Sequence, residues 1–145
     1  MNRIYVLARE FRIAMEDAKA AREFVKDIRF RQFPLGCCDD TCDLLAQYLL
    51  EHGIRTRQVS GAYRDGVFEN NTGHAWLIKG STIIDITGDQ FRYDKIFLNF
   101  NESVYVGRKN DFYKLFEIDS IHENFNIKSN ARLHNLYKII LGYID

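Results

Sequence analysis

Gly73-His74-Ala75-Trp76-Leu77-Ile78-Lys79-Gly80-Ser81-Thr82-Ile83-Ile84-Asp85-Ile86-Thr87 reads as two strands around a tight turn. Apolar and β-branched residues dominate both halves, and Lys79-Gly80 supplies the turn. With strands from Gly73 to Ile78 and from Ser81 to Thr87, Ile78 faces Ser81, Trp76 faces Ile83 and His74 faces Asp85. Directly opposed residues in antiparallel strands hold their Cβ atoms roughly 4.5–5.5 Å apart on one face of the sheet. At that spacing a carboxylate accepts a hydrogen bond from an imidazole N–H. Ala75, Leu77, Ile84 and Ile86 fall on the other face and read as core. A turn one residue longer would send His74 and Asp85 to opposite faces.

Working outward, Arg57 to Tyr63 is a further strand, and Val104 to Gly107 a short one. Arg64-Asp65-Gly66 and Glu69-Asn70-Asn71 are turns. Upstream, Leu7, Phe11, Met15, Ala18, Ala21, Val25 and Ile28 recur at steps of three and four. This spacing predicts an amphipathic helix over about 8–28, with its Arg, Glu, Asp and Lys residues between the apolar positions. Pro34 lies in the loop that follows. A second helix starts at Asp39 or Asp40 and runs to about His52, with Leu44, Leu45, Tyr48 and Leu49 as its apolar stripe and Gly53 as C-cap. Asp111 to Phe116 fits either a short helix or a strand, and residues 131–143 fit a helix. Helices followed by a mostly antiparallel sheet define an α+β fold in a single domain spanning 1–145.

Twenty basic and twenty acidic residues cancel, so charge supplies no argument for a nucleic-acid or anionic-membrane partner. Basic residues of the C-terminal third, such as Arg108, Lys109 and Lys114, alternate with Asp111, Glu117 and Asp119 and read as a mixed solvated surface. No apolar run approaches the roughly 20 residues of a spanning helix. The first ten residues lack a signal-peptide pattern. Three cysteines without a secretion signal point to free thiols in a reducing, cytoplasmic setting.

Cys38 lies where the Pro34 loop meets the second helix. The open N–H groups and dipole at a helix start favour negative charge, and with it a nucleophilic thiolate. Gly36 allows a tight turn just before the thiol. Asp39 and Asp40 are helix-cap residues that also bring opposing negative charge. Cys37 competes as nucleophile, but neighbours in sequence point in different directions, so only one of the two can face His74. Cys42 falls four residues on, on the same helical face, and reads as core. A zinc site from Cys37, Cys38, Cys42 and His74 is the metal alternative. It lacks the paired spacing of structural zinc sites, and neither a metal nor any other cofactor is expected.

Cys38, His74 and Asp85 together form the set that thiol acyl-transfer enzymes need. A thiolate attacks, an imidazole moves the proton, and a carboxylate holds the imidazole in one tautomer. The backbone N–H of Cys38 and the amide of Gln32 are the oxyanion candidates. Trp76, Cys37 and Gln90 are candidates for the substrate cleft. Asp89 is an alternative orienter that reads more simply as a turn residue.

The segments Phe33-Pro34-Leu35-Gly36-Cys37-Cys38, Gly73-His74-Ala75-Trp76 and Ile84-Asp85-Ile86-Thr87-Gly88-Asp89-Gln90-Phe91 resemble the transglutaminase-like branch of the papain-like cysteine-protease superfamily. That group includes small bacterial Cys-His-Asp proteins and the leader peptidases that mature lasso peptides. The likeness covers about residues 31–91. It implies a papain/transglutaminase-like core with N-terminal helices packed on an antiparallel sheet, and Cys38, His74 and Asp85 as catalytic triad. The spacing from Gln32 to Cys38 matches that of the papain oxyanion glutamine. The third member is Asp, as in transglutaminases, and there is no calcium-site signature.

The function expected is a thiol hydrolase or acyltransferase on amide bonds, a peptide bond or a glutamine side chain, working through an acyl-enzyme on a protein or peptide substrate. The alternative is a catalytically inactive papain-like fold serving as a protein-binding, inhibitor or immunity module.

Overall fold

The computed structural model describes residues 2–64, 71–124 and 126–144. The turn residues Asp65-Gly66 and Glu69-Asn70 lie outside the described residues. Along the chain come helices α1 (Arg3–Ala20) and α2 (Cys38–Glu51), strands β1 (Arg57–Arg64), β2 (Asn71–Lys79), β3 (Thr82–Asp85), β4 (Tyr105–Gly107) and β5 (Glu117–Glu123), and helix α3 (Ala131–Leu141). The fold is α+β. The five strands form one antiparallel sheet in the order β4-β3-β2-β1-β5.

The β2–β3 hairpin forms in a different register from the one expected. Leu77 pairs with Ile84, Ile78 with Ile83 and Lys79 with Thr82, so the turn is Gly80-Ser81. Gly80 takes φ +58°, the left-handed conformation that such a loop demands and that glycine adopts without a Cβ clash. Ile78 therefore meets Ile83 where Ser81 was expected, a slip of two positions. Since side chains alternate with period two, an even slip leaves every residue on its original face. Asp85 comes level with Trp76, and His74 reaches it diagonally.

The two faces of the sheet carry separate apolar layers. Ala75, Leu77, Ile84 and Ile86 pack with residues of all three helices, as the alternation required. On the other face Trp76, Ile83 and Val59 pack with Phe91, Phe97, Phe112, Tyr113 and Phe116. Those last five rings come from the segments after β3, so the C-terminal third builds the aromatic side of the site.

α1 is offset from its expected span. It begins at Arg3, where the Asn2 side chain accepts from the Ile4 N–H at 2.9 Å. It ends at Ala20, because Arg22 turns left-handed at φ +67° and the Arg22 and Glu23 N–H groups bond back to the Lys19 and Ala18 carbonyls. Val25 and Ile28, expected on its apolar stripe, are exposed, and Phe24 and Phe30 are buried instead. α2 carries the expected stripe of Leu44, Leu45, Tyr48 and Leu49. It closes on Gly53 at φ +79°.

The segment from Asp111 to Phe116 is neither helix nor strand but contains a short 3-10 turn over Tyr113–Leu115, and β5 follows it. Every β5 residue is exposed, and its isoleucines, Ile118 and Ile121, are three apart. Ser60 pairs with Ser120 while Gly61 pairs with Ile118, so Asp119 is the extra residue of a β-bulge. The bulge returns both isoleucines to one face and removes the alternation that marks a strand. Gly61 is fitted to this crossing, since a Cβ there would lie 2.8 Å from the Glu117 carbonyl oxygen. Among the described residues, no helix is long and apolar enough to cross a membrane.

Candidate active site

α2 begins at Cys38 itself, one or two residues before the expected start at Asp39 or Asp40. Cys37 occupies the N-cap position without a side-chain cap bond, so Asp39 and Asp40 are first-turn residues and not caps. The N–H groups of that first turn have no acceptor inside the helix. The two carboxylates are engaged elsewhere. Asp39 accepts from the Gln58 amide at 3.2 Å, and Asp40 from the Arg132 guanidinium at 3.1 Å. The charge of Asp40 is thus partly answered by Arg132 of α3, and Asp39 is held by a neutral amide of β1.

Burial separates the three thiols. Cys37 is 1% exposed, and burial pushes its pKa up to about 12, against the small opposing effect of a Thr41 hydroxyl that donates to its sulfur. Cys42 is buried, and desolvation raises its thiol well above the ordinary range. Cys38 is half-buried, so it alone of the three combines access with a place at the helix terminus.

His74 is buried on β2 and donates from Nε2 to Asp85 Oδ2 at 2.7 Å. Burial by itself would lower the imidazole pKa. The charge and hydrogen bond of Asp85, joined by the nearby Cys38 side chain, outweigh it and push the value up to about 10. Burial would likewise raise Asp85, but His74, the Thr87 N–H and the Tyr113 hydroxyl hold it below the usual carboxylate range. Both shifts favour an imidazolium–carboxylate pair. With Nε2 committed to Asp85, Nδ1 is the nitrogen left to exchange a proton with Cys38.

Asp85 is held through both oxygens. Oδ1 accepts from the Thr87 N–H at 3.0 Å and the Thr87 hydroxyl at 3.3 Å, and Oδ2 accepts from Tyr113 Oη at 2.8 Å in addition to His74. Tyr113 is fully buried, and its own ionisation is suppressed by that burial and by the charge of Asp85. Trp76, Phe91, Phe112, Tyr113 and Phe116 all place ring centroids within 6.5 Å of the imidazole. The pair is therefore shielded from water by hydrocarbon, where its mutual attraction is strongest.

The outer residues divide. Gln90 Nε2 lies 3.4 Å from His74 Nδ1 and donates to the Thr87 carbonyl at 3.0 Å. Gln90 and Gln32 line one cleft of about 350 Å³. Gln32 is exposed there, and among the described residues its amide bonds to neither Cys38 nor His74. Trp76 and Cys37, expected at the cleft, are each 1% exposed and line no surface: the rings of Tyr113 and Phe116 cover Trp76, and Cys37 packs into the layer shared with the helices.

Two residues were not anticipated. Tyr113 is one. The other is Arg12, which α1 buries at 5% exposure. Its guanidinium forms a two-pronged pair with Asp89 at 2.9 and 2.8 Å and donates to the Ile86 carbonyl at 2.6 Å. Asp89 is thereby a partner of Arg12 and not of His74. This clamp fixes the turn that starts after Asp85 and presents Gln90. Among the described residues no group of three or more His, Cys, Asp or Glu is placed to hold a metal ion.

Compared with protein-family models, curated proteins and solved structures, the chain matches none of them.

Proposed function

We propose that this protein is a thiol-dependent hydrolase or acyltransferase acting on amide bonds, with a papain/transglutaminase-like core. The observation that carries the reading is the buried 2.7 Å contact between His74 and Asp85, with the half-buried Cys38 beside the same imidazole at a helix start. Two inert, buried thiols flank it, which makes Cys38 the one sulfur suited to attack.

In the first step the Cys38 sulfur forms a bond to the carbonyl carbon, and the carbonyl π pair moves to oxygen. The Cys38 N–H at the helix start is one donor for that oxyanion, and the Gln32 amide on the adjoining cleft is the second candidate. His74 gives the Nδ1 proton to the leaving amine as the C–N bond breaks. In the second step water or an amine attacks the thioester, His74 takes its proton, and the thiolate leaves. Asp85 keeps Nε2 protonated throughout and stabilises the imidazolium.

Peptide cleavage, glutamine deamidation and transamidation share this intermediate. A panel of electrophilic peptide and glutamine-analogue probes, followed by mass spectrometry of the adduct, tests the reading. Adducts confined to Cys38 and dependent on His74 support it and report the preferred acyl group. Full biological activity in a Cys38→Ala variant would instead establish a binding module.

A further inference from the structure

The loop leading into Cys38 and the turn following Asp85 face each other across the cleft of about 350 Å³. That volume lies within the roughly 300–1,000 Å³ range of ligand sites. Gln90 belongs to both the cleft and the reactive group, since its amide lies 3.4 Å from His74 Nδ1. A chain lying in the cleft therefore passes the Gln90 amide, which stands between it and the buried imidazole that serves Cys38.

The charge of the cleft is one-sided. Lys19, Arg31 and Arg92 line it, and Asp89 is its one carboxylate. Asp89 is buried and already neutralised by the two-pronged contact with Arg12. Lys19 donates to the Phe33 carbonyl, and Arg92 lies 4.9 Å over the Tyr93 ring. Among the described residues, none of these three cations has an ion-pair partner. The chain as a whole carries no net charge, so this concentration is a local feature and not a reflection of a basic composition. Tyr93, 87% exposed, adds a stacking and hydrogen-bonding surface at the same place.

We infer that this cleft is the substrate groove and that it takes an acidic peptide segment, one with carboxylate side chains flanking the amide presented to Cys38. Guanidinium groups bind carboxylates in a two-pronged geometry, and unpaired cations beside a cleft raise the local concentration of an anionic chain. The inference rests on the amide-bond reading for what happens at Cys38. Binding to the cleft is measurable without any chemistry.

The test uses the full chain carrying Cys38→Ala, labelled with nitrogen-15, and two end-blocked hexapeptides, Ala-Glu-Glu-Gln-Glu-Ala and Ala-Lys-Lys-Gln-Lys-Ala. The glutamate peptide is expected to shift the side-chain amide signals of Gln32 and Gln90, to weaken as salt rises, and to bind more tightly than its lysine counterpart. Reversing two cleft charges with Arg31→Glu and Arg92→Glu is expected to weaken it roughly tenfold. If the double variant fails to fold, the signal positions and the salt dependence of the Cys38→Ala protein decide alone. Equal affinity for both peptides, or shifts confined to another surface, overturns the inference. That result alongside a hyper-reactive Cys38 removes only the acidic preference. An unreactive Cys38 removes the proposed chemistry instead, whatever the peptides do.

Discussion

Tyr113 and His74 donate to the same oxygen of Asp85, at 2.8 and 2.7 Å. A residue from the C-terminal third thus sets the basicity and position of the carboxylate that orients the imidazole. Tyr113→Phe deletes one charge-assisted hydrogen bond from a buried acceptor, and keeps the ring packed against Trp76 and Phe112. The expected cost is about 1–3 kcal/mol of unfolding free energy, read from urea denaturation. With one donor gone, Asp85 holds the His74 proton more strongly, so the imidazole pKa rises further. An unchanged midpoint and an unchanged His74 titration would show that the hydroxyl contributes nothing.

His74 is expected to remain an imidazolium through neutral pH and to lose its proton near pH 10, as followed by ring nitrogen chemical shifts. In Asp85→Asn the desolvation of the ring is no longer opposed by that carboxylate and only Cys38 still favours the charged form, so the imidazole pKa falls from its raised value. Stability follows from the signs. The raised His74 contributes fully below pH 6.5, and that contribution is lost as pH rises through about 10. The lowered Asp85 contributes fully above pH 3.8 and loses its share as pH falls through its depressed folded value. The stability gap between wild type and Asp85→Asn should therefore be widest between those limits and shrink on either side.

Arg12 and Asp89 form a pair in which both side chains are almost fully enclosed, 6% and 5% exposed. Arg12→Ala leaves Asp89 as an uncompensated buried charge, at an expected cost of about 3–5 kcal/mol. Arg12→Met combined with Asp89→Leu should cost clearly less than the sum of the single changes, since no charge is stranded. Thermal and urea unfolding of the four proteins in the cycle measure it. Additive effects would show that the pair acts as two separate residues.

Gly61→Ala places a methyl group 2.8 Å from the Glu117 carbonyl oxygen and 3.2 Å from Phe116 Cβ. Both atoms belong to the join between the aromatic cluster and β5, so the strand must shift. A loss of about 1–3 kcal/mol is expected, with faster amide exchange concentrated in β5. Unchanged protection in β5 would show that the bulge absorbs the methyl group.

Parity explains why the His74–Asp85 contact was legible in the sequence although the register was not. Alternation on both strands specified the faces, and any even slip preserves them. Which two residues make the turn depends on how Ile78 and Ile83 pack under the aromatic cluster, a tertiary matter. β5 was hidden because its bulge puts Ile118 and Ile121 three apart and its residues are otherwise polar. Arg12 reads as one more cation on an amphipathic helix, and its burial depends on Asp89, 77 positions further along the chain. Tyr113 had a visible signal, the aromatic density of Phe112, Tyr113 and Phe116. Nothing in that spacing points to Asp85. The end of α1 was missed because a left-handed arginine, and not a glycine, closes it.

The most direct test of the central claim is the alkylation rate of each cysteine by iodoacetamide, resolved by mass spectrometry. The comparison is between the folded protein, the same chain in denaturant, and a His74→Gln variant. The expected result is a Cys38 that reacts faster in the folded protein than in the unfolded chain, loses that advantage without the imidazole, and outpaces Cys37 and Cys42 by orders of magnitude. A Cys38 that reacts no faster folded than unfolded, and is indifferent to residue 74, would contradict it.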